Sequence, residues 1–118
     1  MRRVTSVLIV DDHPSFRASA RALLEAEGLD VVGEAADGAS ALEEAARLRP
    51  QVVLLDVQLP DIGGFDVAAR LSADGGPQVI LTSSHDVRDF GQLVARSGAA
   101  GFIPKAELSA AAIAELLR

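Results

Sequence analysis

Hydrophobic residues along the chain fall into five short runs, each of a length suited to one strand. The clearest run is V-V-L-L at 52 to 55, where four apolar residues follow one another and two of them are β-branched. A strand with one wet face would alternate apolar and polar positions, so this unbroken run predicts a strand that is buried on both faces. The other predicted strands are residues 5 to 10, 29 to 34, 78 to 82 and 99 to 103.

The segments between these runs repeat their apolar residues every three or four positions, which is typical of helices. Pro14 suits a first helical turn, and Gly28 suits the end of the same helix. The further helices are predicted at 38 to 48, 64 to 72, 86 to 97 and 108 to 118. Strands that alternate with helices across short connections predict one α/β domain over residues 1 to 118, a doubly wound parallel five-stranded sheet with helices on both faces.

Composition narrows the function classes. The 118 residues are 49% hydrophobic, 24% charged and only 3% aromatic, and they include no cysteine. A net charge of -6 argues against direct nucleic-acid binding by this chain, because phosphate binding needs clustered cations. No apolar run approaches the roughly 20 residues of a membrane span, and no signal peptide is evident. We therefore expect a cytoplasmic protein with no membrane partner.

Polar side chains follow the predicted strands at their carboxyl ends, where the functional crevice of an open α/β sheet lies. These groups are Asp11 and Asp12, Asp56, Thr82 and Ser83, and Lys105. Three carboxylates that meet at one edge repel each other unless a cation joins them, and an all-oxygen set suits Mg²⁺. Lys105 stands out because the chain has ten arginines and this single lysine.

Four motifs together resemble the receiver domain of two-component response regulators. They are I-V-D-D-H-P at 9 to 14, L-L-D-V-Q-L-P-D-I-G-G at 54 to 64, L-T-S-S at 81 to 84 and G-A-A-G-F-I-P-K at 98 to 105. The resemblance spans nearly the whole chain. It implies a flavodoxin-like fold with the sheet order 2-1-3-4-5.

The resemblance also implies a role for each residue at the strand ends. Asp56 would accept the phosphoryl group, Asp12 would bind Mg²⁺ directly, and Asp11 would act on the metal mainly through water. The backbone carbonyl of Gln58 would complete the metal site. Lys105 would hold the Asp56 oxygens and then the phosphoryl oxygens, a task for which a compact ammonium is better suited than a guanidinium.

The switch hydroxyl can be assigned in two ways. The family's usual separation from Lys105 points to Ser83, whereas the separation from Pro77 points to Thr82. We favour Ser83 and keep Thr82 as the alternative. Phe102 matches the family's switch aromatic and would turn toward the space that the hydroxyl leaves.

Two departures from the family pattern are visible. Proline precedes Lys105 here, and Ala106 follows it where the family usually has a proline in a cis peptide. A non-proline cis peptide costs about 3 kcal/mol, so we expect a trans bond. Phe102 replaces the commoner tyrosine. We expect His13 to cap a helix or lie at the surface rather than to act as a ligand, and His85 to be exposed in a loop.

The resemblance implies a signalling switch rather than an enzyme. A histidine kinase would phosphorylate Asp56 with Mg²⁺ present, and the domain would then dephosphorylate itself. Two alternatives remain, namely an interaction module that is never phosphorylated and a metal-dependent phosphohydrolase with an aspartate nucleophile. Phosphohydrolases of the haloacid dehalogenase type use D-x-D, whereas Asp11 and Asp12 are adjacent. A nicotinamide enzyme is disfavoured because no G-x-G-x-x-G follows the first strand.

The output is open at this point. The segment D-D-H-P-S-F-R at 11 to 17 resembles receivers that precede a helix-turn-helix DNA-binding domain. The chain is thus either a stand-alone receiver or the first part of a longer regulator with an output domain beyond Arg118. The resemblance also implies that the chain could form a homodimer on phosphorylation.

Overall fold

The fold is a five-stranded parallel sheet covered by helices on both faces. A computed structural model of the chain describes residues 4–84 and 91–117. The strands are β1 (Ser6–Val10), β2 (Asp30–Ala35), β3 (Val52–Asp56), β4 (Gln78–Ser83) and β5 (Gly101–Pro104). Their order in the sheet is β2-β1-β3-β4-β5, and every pair is parallel. This confirms the predicted flavodoxin-like architecture.

Helices cover the two faces of the sheet and enclose two separate hydrophobic cores. Their bounds are α1 (Pro14–Ala26), α2 (Gly38–Leu48), α3 (Gly64–Ser72), α4 (Gly91–Arg96) and α5 (Ala110–Leu116). One core packs α2 and α3 against Leu55 and Leu81, and the other packs α1 and α5 against Leu54 and Ile80. Successive residues of a strand point to opposite faces, which explains why neighbours in sequence belong to different cores.

The central strand is β3, as the unbroken apolar run indicates. All five of its residues are buried, and it is hydrogen-bonded to β1 on one side and to β4 on the other. A strand in this position has helices on both faces, so none of its side chains can be polar without a special partner. Asp56, its last residue, is only 3% exposed.

Several predicted boundaries move by one or two residues. The last helix does not begin at residue 108, because Lys105–Glu107 forms a 3-10 turn and Ser109 caps the helix by accepting a hydrogen bond from the N–H of Ala112 at 3.0 Å. The fifth strand ends at Pro104, so Lys105 follows it directly. In the described part of the chain, α4 begins at Gly91. Residues 86 to 90, which the sequence assigns to the same helix, lie outside the described residues.

The first helix ends at a left-handed glycine, as predicted. Gly28 has φ 95°, a conformation that favours glycine. The N–H of Leu29 donates to the carbonyl of Leu24 at 2.9 Å, and that of Gly28 donates to Glu25 at 3.1 Å, which is the hydrogen-bond pattern of a Schellman motif. No helix in the part of the chain that the structure describes is long and apolar enough to cross a membrane.

Candidate functional site

The register of the sheet brings the acidic residues together. Val10 of β1 lies beside Leu55 of β3, so the residues that follow them, Asp11 and Asp56, come out at the same level of the sheet edge. Both side chains lie on the face that α1 and α5 cover, because they are two residues beyond Ile9 and Leu54 of that core. Asp11 is completely buried.

Lys105 lies between these two carboxylates. Its Nζ is 2.7 Å from Asp11 Oδ2 and 3.1 Å from Asp56 Oδ2, and its side chain is 16% exposed. The sequence indicates the contact with Asp56 but not the one with Asp11. Lys105 is two residues beyond Ile103, which belongs to the core on the same face, so strand alternation carries its side chain toward both aspartates.

An aromatic ring completes the surroundings of this ammonium. Nζ of Lys105 lies 4.5 Å from the centre of the Phe16 ring, within the range of a cation–π interaction. Phe16 belongs to α1, where helical spacing predicts an inward position but not a contact with the lysine. Sequence analysis did not identify Phe16 as a residue of this site.

The remaining acidic residue, Asp12, lies at the open side of the site together with His13. Nδ1 of His13 is 2.9 Å from Asp11 Oδ1 and 3.0 Å from Asp12 Oδ1. One ligand atom each from Asp11, Asp12, His13 and Asp56 lies within 4.8 Å of the others. Three carboxylates at this spacing fit a divalent cation with oxygen ligands, in agreement with the Mg²⁺ prediction.

The pKa values of the two buried carboxyls shift in opposite directions, because burial and hydrogen bonding differ in their balance at each site. Burial raises the pKa of Asp56 above its ordinary value of 3.8, an effect only partly offset by hydrogen bonds from Gln58 and Lys105. Burial acts in the same direction on Asp11, but hydrogen bonds from Lys105 and His13 outweigh it and lower the pKa of Asp11. Burial lowers the pKa of Lys105, and its bonds to the two aspartates outweigh this and raise it. Asp56 is thus the more basic carboxylate, beside a fully charged ammonium.

The loop after β3 fixes the second oxygen of Asp56. The backbone N–H of Gln58 donates to Asp56 Oδ1 at 2.9 Å, a contact that sequence analysis did not predict. The loop is short because α3 begins close behind it, where the N–H of Gly64 donates to the carbonyl of Val57 at 3.0 Å. The role of the Gln58 carbonyl as a metal ligand stays a prediction.

Asp61 ties the same loop to the start of α2. Its carboxylate accepts hydrogen bonds from the N–H groups of Gly38 at 2.7 Å and Ala39 at 3.0 Å. These bonds lower the pKa of Asp61 because they favour the charged form. The first N–H groups of a helix have no partner within it, so Asp61 serves as a cap supplied from another part of the chain. No local sequence signal marks this contact, since the partners are more than 20 residues apart.

The two candidate switch hydroxyls point to opposite faces of β4. Thr82 lies beside Asp56 in the register and therefore shares its face, whereas Ser83 shares the face of Leu81 and Phe102, which lie beside each other. Both are 1% exposed. Oγ1 of Thr82 is buried and has no hydrogen-bond partner within residues 4–84 and 91–117.

Three further predictions concern the peptide after Lys105 and the two histidines. The peptide between Lys105 and Ala106 is trans, as predicted. The prediction that His13 caps a helix or lies at the surface is confirmed, because His13 occupies the N-cap position of α1 and 64% of its side chain is exposed; the side chain itself makes no capping hydrogen bond. His85 lies outside the described residues.

Comparison with known proteins identifies the family. The sequence model described as "Response regulator receiver domain" matches residues 7–118. The nitrate/nitrite response regulator protein NarP of Escherichia coli is 43% identical over 102 residues, which are 84% of this chain and 47% of NarP. The regulator BvgA of Bordetella pertussis is 40% identical over 102 residues, 86% of this chain and 49% of BvgA.

Solved structures agree with the sequence comparison. The signal receiver domain of NarL from Mycobacterium tuberculosis has a TM-score of 0.87 and 35% identity, and the match covers 98% of both chains. A two-component response regulator of the LuxR family from Aurantimonas sp. SI85-9A1 has a TM-score of 0.86 and 30% identity, and the match covers 98% of this chain and 86% of that one. The chain spans about half the length of the curated relatives that it matches. It belongs to the response regulator receiver domain family.

Proposed function

We propose that this chain is a phosphorylation switch in which Asp56 accepts a phosphoryl group from a histidine kinase. The observation that carries the proposal is the placement of Lys105, whose ammonium lies 2.7 Å from Asp11 and 3.1 Å from Asp56 at the end of the central strand. A buried carboxylate costs stability unless it is paired, and such perturbed groups cluster at functional sites.

The reaction needs a nucleophile, a positioned donor and a way to balance charge. An oxygen of Asp56 attacks the phosphorus of the phosphohistidine, the P–N bond breaks, and the imidazole leaves with a proton from solvent. The product is an acyl phosphate on Asp56. Water later attacks the same phosphorus, which releases inorganic phosphate and restores the carboxylate. Lys105, already 3.1 Å from Asp56 Oδ2, stabilises the negative charge of the transferring group.

A divalent ion fits the acidic side of the site. Asp11, Asp12 and Asp56 are the carboxylates that would hold Mg²⁺, with the Gln58 carbonyl as a further oxygen ligand. When bound, the ion offsets the charge of the phosphoryl group as it approaches the carboxylate. Asp12, whose side chain is 37% exposed, lies on the side from which ion and donor enter.

The first test is chemical labelling. Incubation with acetyl phosphate and Mg²⁺ should add one phosphoryl group per chain, seen as a single increment in intact mass. Excess chelator should abolish the increment, because the acidic cluster would repel the incoming phosphate. Labelling that is equally complete without any divalent ion would contradict the metal's place in the proposal.

Ser83 is the switch hydroxyl that the proposal favours. It is the last residue of β4 and shares its face with Phe102, so a hydroxyl drawn toward a phosphoryl group would free space beside that ring. The side chain of Thr82 lies on the opposite face of β4 from Phe102, because Thr82 pairs with Ile103 in the register. A local charge event of this kind biases a loop between two conformations.

The two hydroxyls can be separated by substitution. Ser83→Ala should accept label yet lose the response of the Phe102 amide signal in ¹H–¹⁵N spectra, because the hydroxyl that reports the phosphoryl group is gone. Thr82→Val should retain that response and raise the free energy of unfolding by about 1 kcal/mol, because it removes a buried hydroxyl without a partner. Denaturant unfolding measures the second effect. Loss of the Phe102 response in Thr82→Val alone would assign the switch to Thr82.

Membership of the family supports proposals about partners and output. A histidine kinase in the cytoplasm would supply the phosphoryl group, and phosphorylation would favour a homodimer. The curated relatives are about twice as long as this chain, which supports an output domain beyond Arg118 that binds DNA. With a net charge of -6, the receiver itself would not contact nucleic acid.

A further inference from the structure

We propose that His13 is a ligand of the divalent ion and that its imidazole gives the site a preference for first-row transition dications such as Mn²⁺, Co²⁺ and Ni²⁺. The inference rests on the metal site of the proposed function and adds to it a nitrogen ligand. It turns an all-oxygen site into a mixed one.

The spacing of three atoms carries the inference. Nδ1 of His13 lies 2.9 Å from Asp11 Oδ1 and 3.0 Å from Asp12 Oδ1. In an octahedral site with bonds of about 2.1 Å, adjacent ligand atoms are about 3.0 Å apart. Nδ1 of His13 therefore already has, to one oxygen of each aspartate, the separation of adjacent ligands in such a site. A cation there replaces the ring proton at Nδ1, which the neutral imidazole then carries on Nε2.

The arrangement leaves this side of the site open to an ion. Lys105 pairs with the Oδ2 atoms of Asp11 and Asp56, so it does not compete for Asp11 Oδ1, the oxygen that His13 contacts. The side chains of His13 and Asp12 are 64% and 37% exposed, which gives a hydrated ion a path to the ligands.

Capping of α1 does not explain the ring, whose side-chain contact in the site is the one between Nδ1 and Asp11 Oδ1 at 2.9 Å. His13 begins α1, and its backbone N–H donates to Asp11 Oδ1 at 2.8 Å, but its side chain caps nothing. The backbone contact survives any substitution of the side chain. What the imidazole adds is a nitrogen beside two carboxylate oxygens.

Metal chemistry gives this nitrogen a specific effect. Mg²⁺ prefers oxygen ligands and retains water, whereas imidazole suits ions of the first transition row, whose affinities rise from Mn²⁺ toward Cu²⁺. His13 should thus contribute much to binding of Ni²⁺ or Co²⁺ and little to binding of Mg²⁺.

The test compares the affinities of Ni²⁺ and Mg²⁺ for the wild type and for variants of the full chain. His13→Asn keeps a good N-cap residue and an oxygen, and His13→Ala removes both. Calorimetric titration should show that each variant binds Ni²⁺ roughly 10- to 100-fold more weakly than the wild type, while Mg²⁺ affinity falls far less. His85→Asn, at the other histidine of the chain, is the control and should bind Ni²⁺ as the wild type does. Pulsed EPR of the Mn²⁺-loaded protein should show imidazole nitrogen modulation that is absent from His13→Asn.

Equal Ni²⁺ affinity in the wild type and both folded His13 variants, with no nitrogen modulation, would overturn the inference. Labelling by acetyl phosphate and Mg²⁺ on the same samples keeps the two claims apart. Normal labelling with no effect of His13 on Ni²⁺ rejects the ligand alone. Absent labelling with a clear His13 effect supports the ligand and rejects the proposed function.

Discussion

Asp56→Asn is expected to abolish labelling by acetyl phosphate completely, with no mass increment in the presence of Mg²⁺. The amide has no anionic oxygen to attack phosphorus. The substitution preserves the shape of the side chain, and its carbonyl oxygen can still accept the N–H of Gln58, which lies 2.9 Å from Asp56 Oδ1. The loss should therefore reflect chemistry rather than unfolding. Intact mass and a phosphate-retarding gel measure it.

The matched control is Asp66→Asn. Asp66 lies exposed in the first turn of α3, ten residues after Asp56, and takes no part in the site. This variant should label as the wild type does. The fold of Asp56→Asn should be intact, because burial already disfavours the charge that the substitution removes. Undiminished labelling of Asp56→Asn would move the phosphoacceptor to another carboxylate, with Asp12 the nearest exposed choice.

The sequence was sufficient to predict that these groups meet. Parallel strands end at one edge of the sheet, so Asp11, Asp56 and Lys105 could be expected there before any distance was known. Strand alternation also decides which groups share a face, but only once the register is fixed. For example, the register between β3 and β4 pairs Asp56 with Thr82 rather than with Ser83. It depends on how β3 and β4 align, which no single strand encodes.

Contacts between distant segments were beyond sequence analysis. Asp61 caps α2 because the loop after β3 passes the start of that helix, and the position of both depends on packing of the sheet. Lys105 touches Asp11 as well as Asp56 because the ends of β1, β3 and β5 carry the three side chains to the same face of the sheet. Each of these residues is ordinary in its own segment. Its role arises only from the tertiary arrangement.

The two adjacent glycines after Asp56 illustrate the same limit and give the second large expected effect. Gly63 and Gly64 are adjacent in the sequence, and nothing in their local pattern indicates that they differ in packing. A Cβ on Gly64 would lie 2.5 Å from the carbonyl oxygen of Asp56 and 2.5 Å from Cα of Val57, both backbone atoms at the end of the central strand. A Cβ on Gly63 would meet only Asp66 Oδ2 at 3.7 Å, an ordinary contact.

Gly64→Ala should therefore lower the free energy of unfolding by about 3 kcal/mol, since the clash is with backbone that cannot turn aside. It should also reduce labelling, because relief of the clash displaces Asp56. Helix propensity alone predicts the opposite sign, a gain of up to about 1 kcal/mol for alanine in a helix. Gly63→Ala, at the N-cap of α3, should cost about 1 kcal/mol or less and label normally. Denaturant unfolding of the pair decides the matter: equal stabilities would mean that α3 does not approach the end of β3 as closely as the Gly64 contact requires.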